Sequence, residues 1–568
     1  MAKKLKTQVI YTVTGNKTLD AIISLNLENE RFKGVKTVED FKAYLSCPKL
    51  SSVQFDDESV KKMVSLLLGL PQLDGRIGKI IILSDYDPDG MTGGSNTKLW
   101  VSKCYNGEVI IYPLSRELGF SVHNEQIDDI VQKYGSDVDM LIAVDNGGKA
   151  SDVWKYARQQ LPNSKIVVID HHDKDDDVEN VVDLFVNPHY DKNIKEKNLF
   201  QDICGAFTTA LFGKQVMDAM GKSDNLVVAE MLELSAVATV TDVMPVFDIN
   251  RTVLNFLIGR VKNSQLINLG LKTLLSESKT DIKNFNSESI GFQIGPMLNA
   301  PGRLVGAEIP TNLLSGQGNI LENAKSCVQY NTERKDKTAV IRDLAKEVFD
   351  EKQHFHVTVL DDVDEGLIGI EAGNETENSG EPSVVFTKCE AGYKGSGRSP
   401  INFNIIEAAT KVFTEHPELV VAYGGHPGAM GLTLVDKESC LKFQEYMEQE
   451  YLAQNPKPIE LKVIDFADLN DSIDNVWKTL NEFEPYGQEF ERPKFVMEGF
   501  VSGVKILAEK HTSFYLTNMD KNISIRCNWW KHVDPDMIGK KKVVFTISKS
   551  GSDEKPYYTA TIENVIDL

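Results

Sequence analysis

At 568 residues the chain is long enough for three or four domains, and with 41% hydrophobic and 26% charged residues it is neither fibrous nor disordered. Lys and Arg number 62 against 83 Asp and Glu; the net charge of -21 repels phosphate at long range. This counts against a passive nucleic-acid coat, but not against an enzyme that works through a local basic groove and bound metal. Seven cysteines stand singly, without a CxxC pair, and no run of about 18 apolar residues occurs. Reduced thiols, a cytoplasmic location and no membrane span are expected.

Residues 1–75 read as a leading segment ending in a helical run, KKMVSLLLGL (61–70), stopped by Pro71. From Lys79, buried-strand runs KIIIL (79–83), EVIIYPL (108–114), DMLIAV (139–144) and KIVVI (165–169) alternate with longer polar or helical stretches. That alternation predicts an α/β domain, 76–260, with a doubly wound parallel sheet. A helix is expected over 226–241, near the end of this domain. Residues 261–353 read as a helical part closed by a long connecting helix, with Ile341, Leu344, Ala345, Val348 and Phe349 on one face. Residues 354–455 form a second α/β domain with Gly-rich turns at 391–398 and 424–431. From 456 to 568 about five turn-linked strands suggest a small β-barrel of the OB type.

The chemistry concentrates at strand ends. SDYDPDG (84–90) follows the KIIIL strand directly and carries Asp85, Asp87 and Asp89. Ligand sites in open α/β sheets lie beyond the carboxyl ends of strands. Carboxylates crowded there raise one another's pKa unless a hard divalent cation is present. A calcium loop is the alternative, but the bidentate Glu at its twelfth position is missing and a strand precedes the run. The pattern recurs after two more strands, in VDNGG (144–148) with Asp145 and in IDHHD (169–173) with Asp170, His171 and His172. A further carboxylate, Asp242, ends the 226–241 helix pattern. No Walker A loop GxxxxGK[ST] is present, so ATP dependence is not expected.

DYDPDG, VDNGG, IDHHD and VATVTDVMP together resemble the four motifs of the DHH phosphoesterases. Arg116 in YPLSRELGFS, NAPGRL (299–304), NTERK (331–335), GLIGI (366–370), KGSGRS (394–399) and GGHPGAMG (424–431) resemble further signatures of RecJ-type single-strand exonucleases. The resemblance implies a DHH domain, a DHH-associated domain joined to it by a long helix, and a C-terminal OB-like barrel. It implies a 5′-to-3′ exonuclease that cuts single-stranded DNA to mononucleotides in repair, recombination or replication, using two Mn²⁺ or Mg²⁺ ions.

By the same resemblance, Asp87 and Asp89 are the metal-binding pair, Asp145 the shared carboxylate, and His171 and Asp242 further ligands. Asp85 is a ligand or its partner, Asp170 orients the histidines, and His172 faces the substrate phosphate. Arg116, Ser396 and Arg398 would form a pocket for the 5′-terminal phosphate. The alternative for KGSGRS is a hairpin turn with an exposed Arg. Asn299 and Arg303 would line the cleft between the α/β domains, with Arg303 on the nucleic-acid backbone. His426, on a flexible loop near a helix start, would donate to a phosphate. Leu83 stands where some members have a histidine, and Pro427 and Met430 where the family prefers small residues.

In the barrel, Phe514, Tyr515, Trp529 and Trp530 interleave with Lys521, Arg526 and Lys531, as in a single-strand platform, though alternation makes half of such aromatics core. A monomer is expected, with a single-strand-binding protein or helicase as partner. The competing readings are a DHH phosphodiesterase for short oligoribonucleotides or cyclic dinucleotides, and a catalytically inactive replication scaffold.

Overall fold

Four near-continuous apolar runs leave no strand face polar enough for water, and in the computed structural model each becomes a strand of one all-parallel sheet buried on both sides. Residues 4–8, 10, 16–26, 37–70, 78–119, 121–197, 200–350, 352–458, 460–552 and 555–567 are described. The chain divides into two units, one of 26–331 with 481–492, the other of 1–25, 332–480 and 493–568.

Counting strands from the short β1 (Lys4–Thr7), the first unit holds β2 (Lys79–Ser84), β3 (Glu108–Pro113), β4 (Met140–Val144), β5 (Lys165–Ile169) and β6 (Leu184–Val186), in the order β3-β2-β4-β5-β6. Side chains alternate between two cores. Ile80, Ile82, Ile142 and Val167 pack with Trp100, Phe207 and Phe212. Ile81, Leu83, Leu141 and Val168 pack with Ile127, Ile130 and Trp154. Each of these buried aliphatic side chains contributes about 1.5–3 kcal/mol relative to exposure. The carboxyl ends of β2, β4 and β5 therefore lie side by side, each followed by one of the acidic motifs. The run at 61–70 belongs to a longer helix, Asp57–Leu68, and Pro71 lies outside the described residues, as does much of 1–36.

The long helix is Ile320–Val348. Its buried stripe is Ala324, Cys327, Asn331, Thr338, Ile341 and Ala345, whereas Leu344 and Val348 are exposed. The expected apolar face is thus only half right: Leu344 stands about 100° from neighbouring Ala345 at 3.6 residues per turn, and Val348 is exposed although it stands only about 20° from Ile341.

In the second unit β7 (His356–Leu360), β8 (Ser383–Cys389), β9 (Gly392–Arg398), β10 (Val420–His426) and β11 (Ala429–Leu434) form a sheet ordered β10-β11-β9-β8-β7. The Gly-rich segments expected as turns are strands. KGSGR is β9, paired with β8 on one edge and β11 on the other, and GGH pairs with AMG as a hairpin turning at Pro427 and Gly428. His426 therefore ends a strand rather than riding a loop near a helix start. Pairing on both edges overrides the low strand propensity of glycine.

The five C-terminal strands, β13 (Phe495–Leu507), β14 (His511–Asn518), β15 (Ile523–Trp529), β16 (Gly539–Ser552) and β17 (Lys555–Asp567), close on themselves through β13–β16 pairing. This is the OB-type barrel, extended beyond the five expected strands by β12 (Glu460–Asp465), which pairs with β13 in parallel, and by β1, which pairs with β12 in parallel. Phe514 is core, Trp529 is half-buried, and Tyr515 and Trp530 are exposed. All seven cysteines are free thiols. Among the described residues no helix is long and apolar enough to cross a membrane.

Candidate metal centre

Helix Pro88–Cys104 starts inside the DYDPDG motif, and its cap explains the local spacing. Asp87 is the N-cap, its Oδ1 accepting from the Asp89 and Gly90 N–H groups at 2.9 and 3.1 Å. Asp89 is buried and accepts from two N–H groups of another helix start, Gly205 to Oδ2 at 2.7 Å and Ala206 to Oδ1 at 2.8 Å. The positive end of helix Gly205–Ala219 thus stabilises this carboxylate. Asp145 follows β4 at φ 63°, a left-handed conformation uncommon outside glycine. Only glycine fits opposite it, since a Cβ on Gly205 would stand 2.8 Å from the Asp145 Cβ and Oδ1 atoms.

These turns bring the acidic motifs to one point. His171 Nε2 lies 3.2 Å from Asp145 Oδ1, 3.4 Å from Asp242 Oδ2 and 3.6 Å from Asp89 Oδ2. Asp85, Asp87 and Asp145 offer a second group of oxygens within 4.8 Å of one another, and Asp145 is common to both neighbourhoods. Asp85 Oδ1, Asp145 Oδ1, His171 Nε2 and Asp242 Oδ2 are buried with no hydrogen-bond partner. A buried polar atom left unpaired costs about 1–3 kcal/mol, so orphaned atoms gathered in these two adjoining groups suit bound cations.

The electrostatics agree. Burial, reinforced by neighbouring carboxylates, pushes Asp85, Asp145 and Asp242 well above the usual carboxylate range. Burial and adjacent His172 lower His171 to about 4, which keeps its lone pair free for a ligand. Its close contacts to the three carboxylates are therefore not ion pairs. His172 moves the other way: burial opposes its charge, but the hydrogen bond from Nδ1 to Asp170 Oδ1 at 2.9 Å prevails and raises it to about 9. Asp170, for its part, is buried, yet the same bond holds it at about 2. It also accepts from the backbone N–H groups of Gly148, His171 and His172. Asp170 thus holds the ring of His172 and the backbone N–H groups of both histidines.

Arg116 lies at the edge of this group, its guanidinium 4.2 Å above the Tyr86 ring and its Nε donating to the Gly302 carbonyl at 3.2 Å. Arg303 acts on the same Tyr86, and Asn299 Oδ1 is buried without a partner. In the second unit Arg398 Nη1 donates to Ser396 Oγ at 3.2 Å, and Arg398 helps depress the His426 pKa after burial. Gly369 sits against this pair, where a Cβ would come 2.8 Å from Ser396 Oγ and 3.2 Å from Arg398 Nη2.

Sequence reasoning missed several supporting groups. The Gly205 and Ala206 amides, Tyr86 beneath Arg116, and the Asn187 Nδ2 that donates to the His172 carbonyl are invisible in the motifs. Only the small pair Gly-Ala at a helix start carried a readable signal.

Strand-end carboxylates and a neutral imidazole converging on a parallel sheet define a metal-dependent phosphoesterase. The DHH family N-terminal domain matches residues 79–239, the DHHA1 domain 352–452 and the RecJ OB domain 464–552, and the chain belongs to the DHH family with the RecJ set of domains. It is 26% identical over 457 residues to the single-stranded-DNA-specific exonuclease RecJ of Escherichia coli (strain K12), covering 76% of this chain and 77% of that one. The Bacillus subtilis (strain 168) protein of the same name is 25% identical over 506 residues, 87% of this chain and 61% of its own. The crystal structure of RecJ with Mn²⁺ from Thermus thermophilus shares the fold, with a TM-score of 0.75 at 22% identity, covering 96% of this chain and 76% of that one.

Proposed function

We propose that this protein is a metal-dependent exonuclease that hydrolyses single-stranded DNA from the 5′ end to mononucleotides. The observation that carries the reading is the set of four buried, unpartnered donor atoms on Asp85, Asp145, His171 and Asp242. Asp89, Asp145, His171 and Asp242 would hold one divalent ion, and Asp85, Asp87 and Asp145 a second, both Mn²⁺ or Mg²⁺. Such ions supply a nucleophilic hydroxide at neutral pH and neutralise charge developing on the phosphate.

The residues around them do the positioning. Protonated His172, held by Asp170, donates to a non-bridging phosphate oxygen. Arg303 takes the strand backbone, with Asn299 beside it. Ser396 and Arg398 take the 5′-terminal phosphate, Arg116 contacts a phosphate beside the acidic motifs, and His426 donates to a phosphate from the end of β10. A terminal pocket makes the enzyme act at ends. The exposed Tyr515 and Trp530 of the barrel suit stacking on unpaired bases. We assign catalysis to 76–260 and substrate binding to 354–455 and 456–568. A cytoplasmic monomer working with a single-strand-binding protein or helicase fits this activity.

The test is incubation with Mn²⁺ and end-labelled linear strands, closed circles and duplexes. Release of 5′-labelled mononucleotide from linear single strands alone is the expected result. Cleavage of circles at an equal rate overturns the terminal pocket.

A further inference from the structure

Resting on that single-strand reading, we propose that Phe292 is a base-stacking residue that grips the strand a few nucleotides from the cleaved phosphate. Phe292 is 80% exposed. Single exposed apolar residues are common on surfaces, but the backbone holds this one out in an unusual way.

Residues Ile290–Ile294 form a π turn, in which the Gly295 N–H donates to the Ile290 carbonyl. Such turns are rare and concentrate at functional sites. Ile290 and Ile294 are fully buried on its inner side, which leaves Phe292 outward. The turn abuts the last residues of helix Asn225–Thr241, for a Cβ on Gly295 would come 2.5 Å from Thr241 Cγ2. The next residue is Asp242, a metal-centre carboxylate.

The helix then continues as Gly295–Leu304. Among its mostly buried positions, Pro296, Asn299 and Arg303 keep partial exposure and follow Phe292 at spacings of four, seven and eleven residues, the period of one helical face. The stripe ends beside Gly302, whose carbonyl accepts from Arg116 Nε at 3.2 Å and where a Cβ would come 3.0 Å from the Tyr86 carbonyl oxygen, within the DYDPDG motif. One helix face thus carries an aromatic ring, an amide and a guanidinium in a line that leads to the metal centre. Aromatic faces for bases and cations for the backbone are what single-strand binding requires, and a ring face stacks on any base.

Eleven residues of helix span about 16 Å, so a strand advancing about 3.4 Å per nucleotide when stacked, and more when splayed, meets Phe292 roughly two to five nucleotides beyond Arg303. Strand length is therefore the variable to change. In the full-length protein with Mn²⁺, KM should fall as 5′-phosphorylated oligothymidylates lengthen from two nucleotides to six. Phe292→Ala should abolish most of that fall, raising KM on the longer strands by about fivefold to a hundredfold, the scale of one base–aromatic stack, and Phe292→Trp should retain it.

A second readout uses the catalytically disabled Asp145→Asn protein and strands carrying 2-aminopurine at successive positions. Fluorescence quenching at one of positions two to five that is lost with Phe292→Ala supports stacking. Identical length dependence and identical quenching in Phe292→Ala overturn this role and leave the exonuclease reading standing. If the wild-type protein cleaves no single strand, that reading falls and the role of Phe292 falls with it.

Discussion

His171 Nε2 stands 3.2 Å from Asp145 Oδ1, and both atoms are buried with no hydrogen-bond partner. Two acceptors facing each other at that distance are stable only when something positive bridges them. Asp145→Asn keeps the shape but replaces one oxygen of the shared ligand by an amide. Strand cleavage should fall by more than the about 10–100-fold typical of a lost supporting residue. The thermal shift produced by Mn²⁺ should shrink, while far-UV circular dichroism stays native.

Proton linkage gives the metal-free protein a definite pH profile. Asp85, Asp145 and Asp242 have raised folded pKa values, so their contribution to stability is complete below the ordinary carboxylate value of 3.8 and is lost as pH rises. His172, raised from 6.5 to about 9, contributes fully below 6.5 and loses its contribution through about 9. Asp170, depressed from 3.8 to about 2, contributes above 3.8 and loses its contribution only as pH falls through about 2. His171, lowered from 6.5 to about 4, works the other way, contributing above 6.5 and losing its contribution as pH falls towards 4. His172 and the three carboxylates together outweigh it, so the chelated protein should melt at a higher temperature near pH 5 than near pH 8.5. Mn²⁺ should stabilise more at the higher pH, where fewer protons compete for the ligands. Scanning calorimetry with and without chelator measures both.

Asp170→Asn removes the carboxylate that keeps His172 charged. Loss of about 10–100-fold in kcat is expected, with metal affinity by titration calorimetry changed far less than in Asp145→Asn. In the metal-free protein the His172 imidazole titration followed by NMR should move down from about 9.

Gly369 packs against the Ser396 and Arg398 pair, where a methyl group would press on Oγ at 2.8 Å. Alanine suits a helix better than glycine, so Gly369→Ala should fold and melt normally. Its effect should appear as a higher KM for 5′-phosphorylated strands, about tenfold, with little change for 5′-hydroxyl strands. An unchanged preference would remove the 5′-phosphate role from Ser396 and Arg398.

Part of the architecture was legible because its signals are local. Apolar runs without a polar face mark strands covered on both sides, and β2 to β5 fell within a residue or two of the expected runs. Acidic motifs directly after three such runs must share one sheet edge once the strands are parallel neighbours. The Gly-rich segments misled for the opposite reason. Gly392–Arg398 has the composition of a turn, and only pairing to Ser383–Cys389 and Ala429–Leu434 makes it a strand. Likewise, Leu344 and Val348 are apolar yet exposed, because the packing around the long helix, not its composition, selects which stripe is covered.

The sequence by itself determined the carboxylates, the histidine pair and the strands that carry them, since hydrophobic periodicity and motif position depend only on neighbours along the chain. Tertiary structure alone decided which oxygens are orphaned, that the Gly205 helix start stabilises Asp89, that Asp170 charges one histidine while burial neutralises the other, and that a π turn holds Phe292 outward. Those outcomes depend on distances between groups far apart in the chain and on how much water each keeps, and neither quantity exists before the chain is folded.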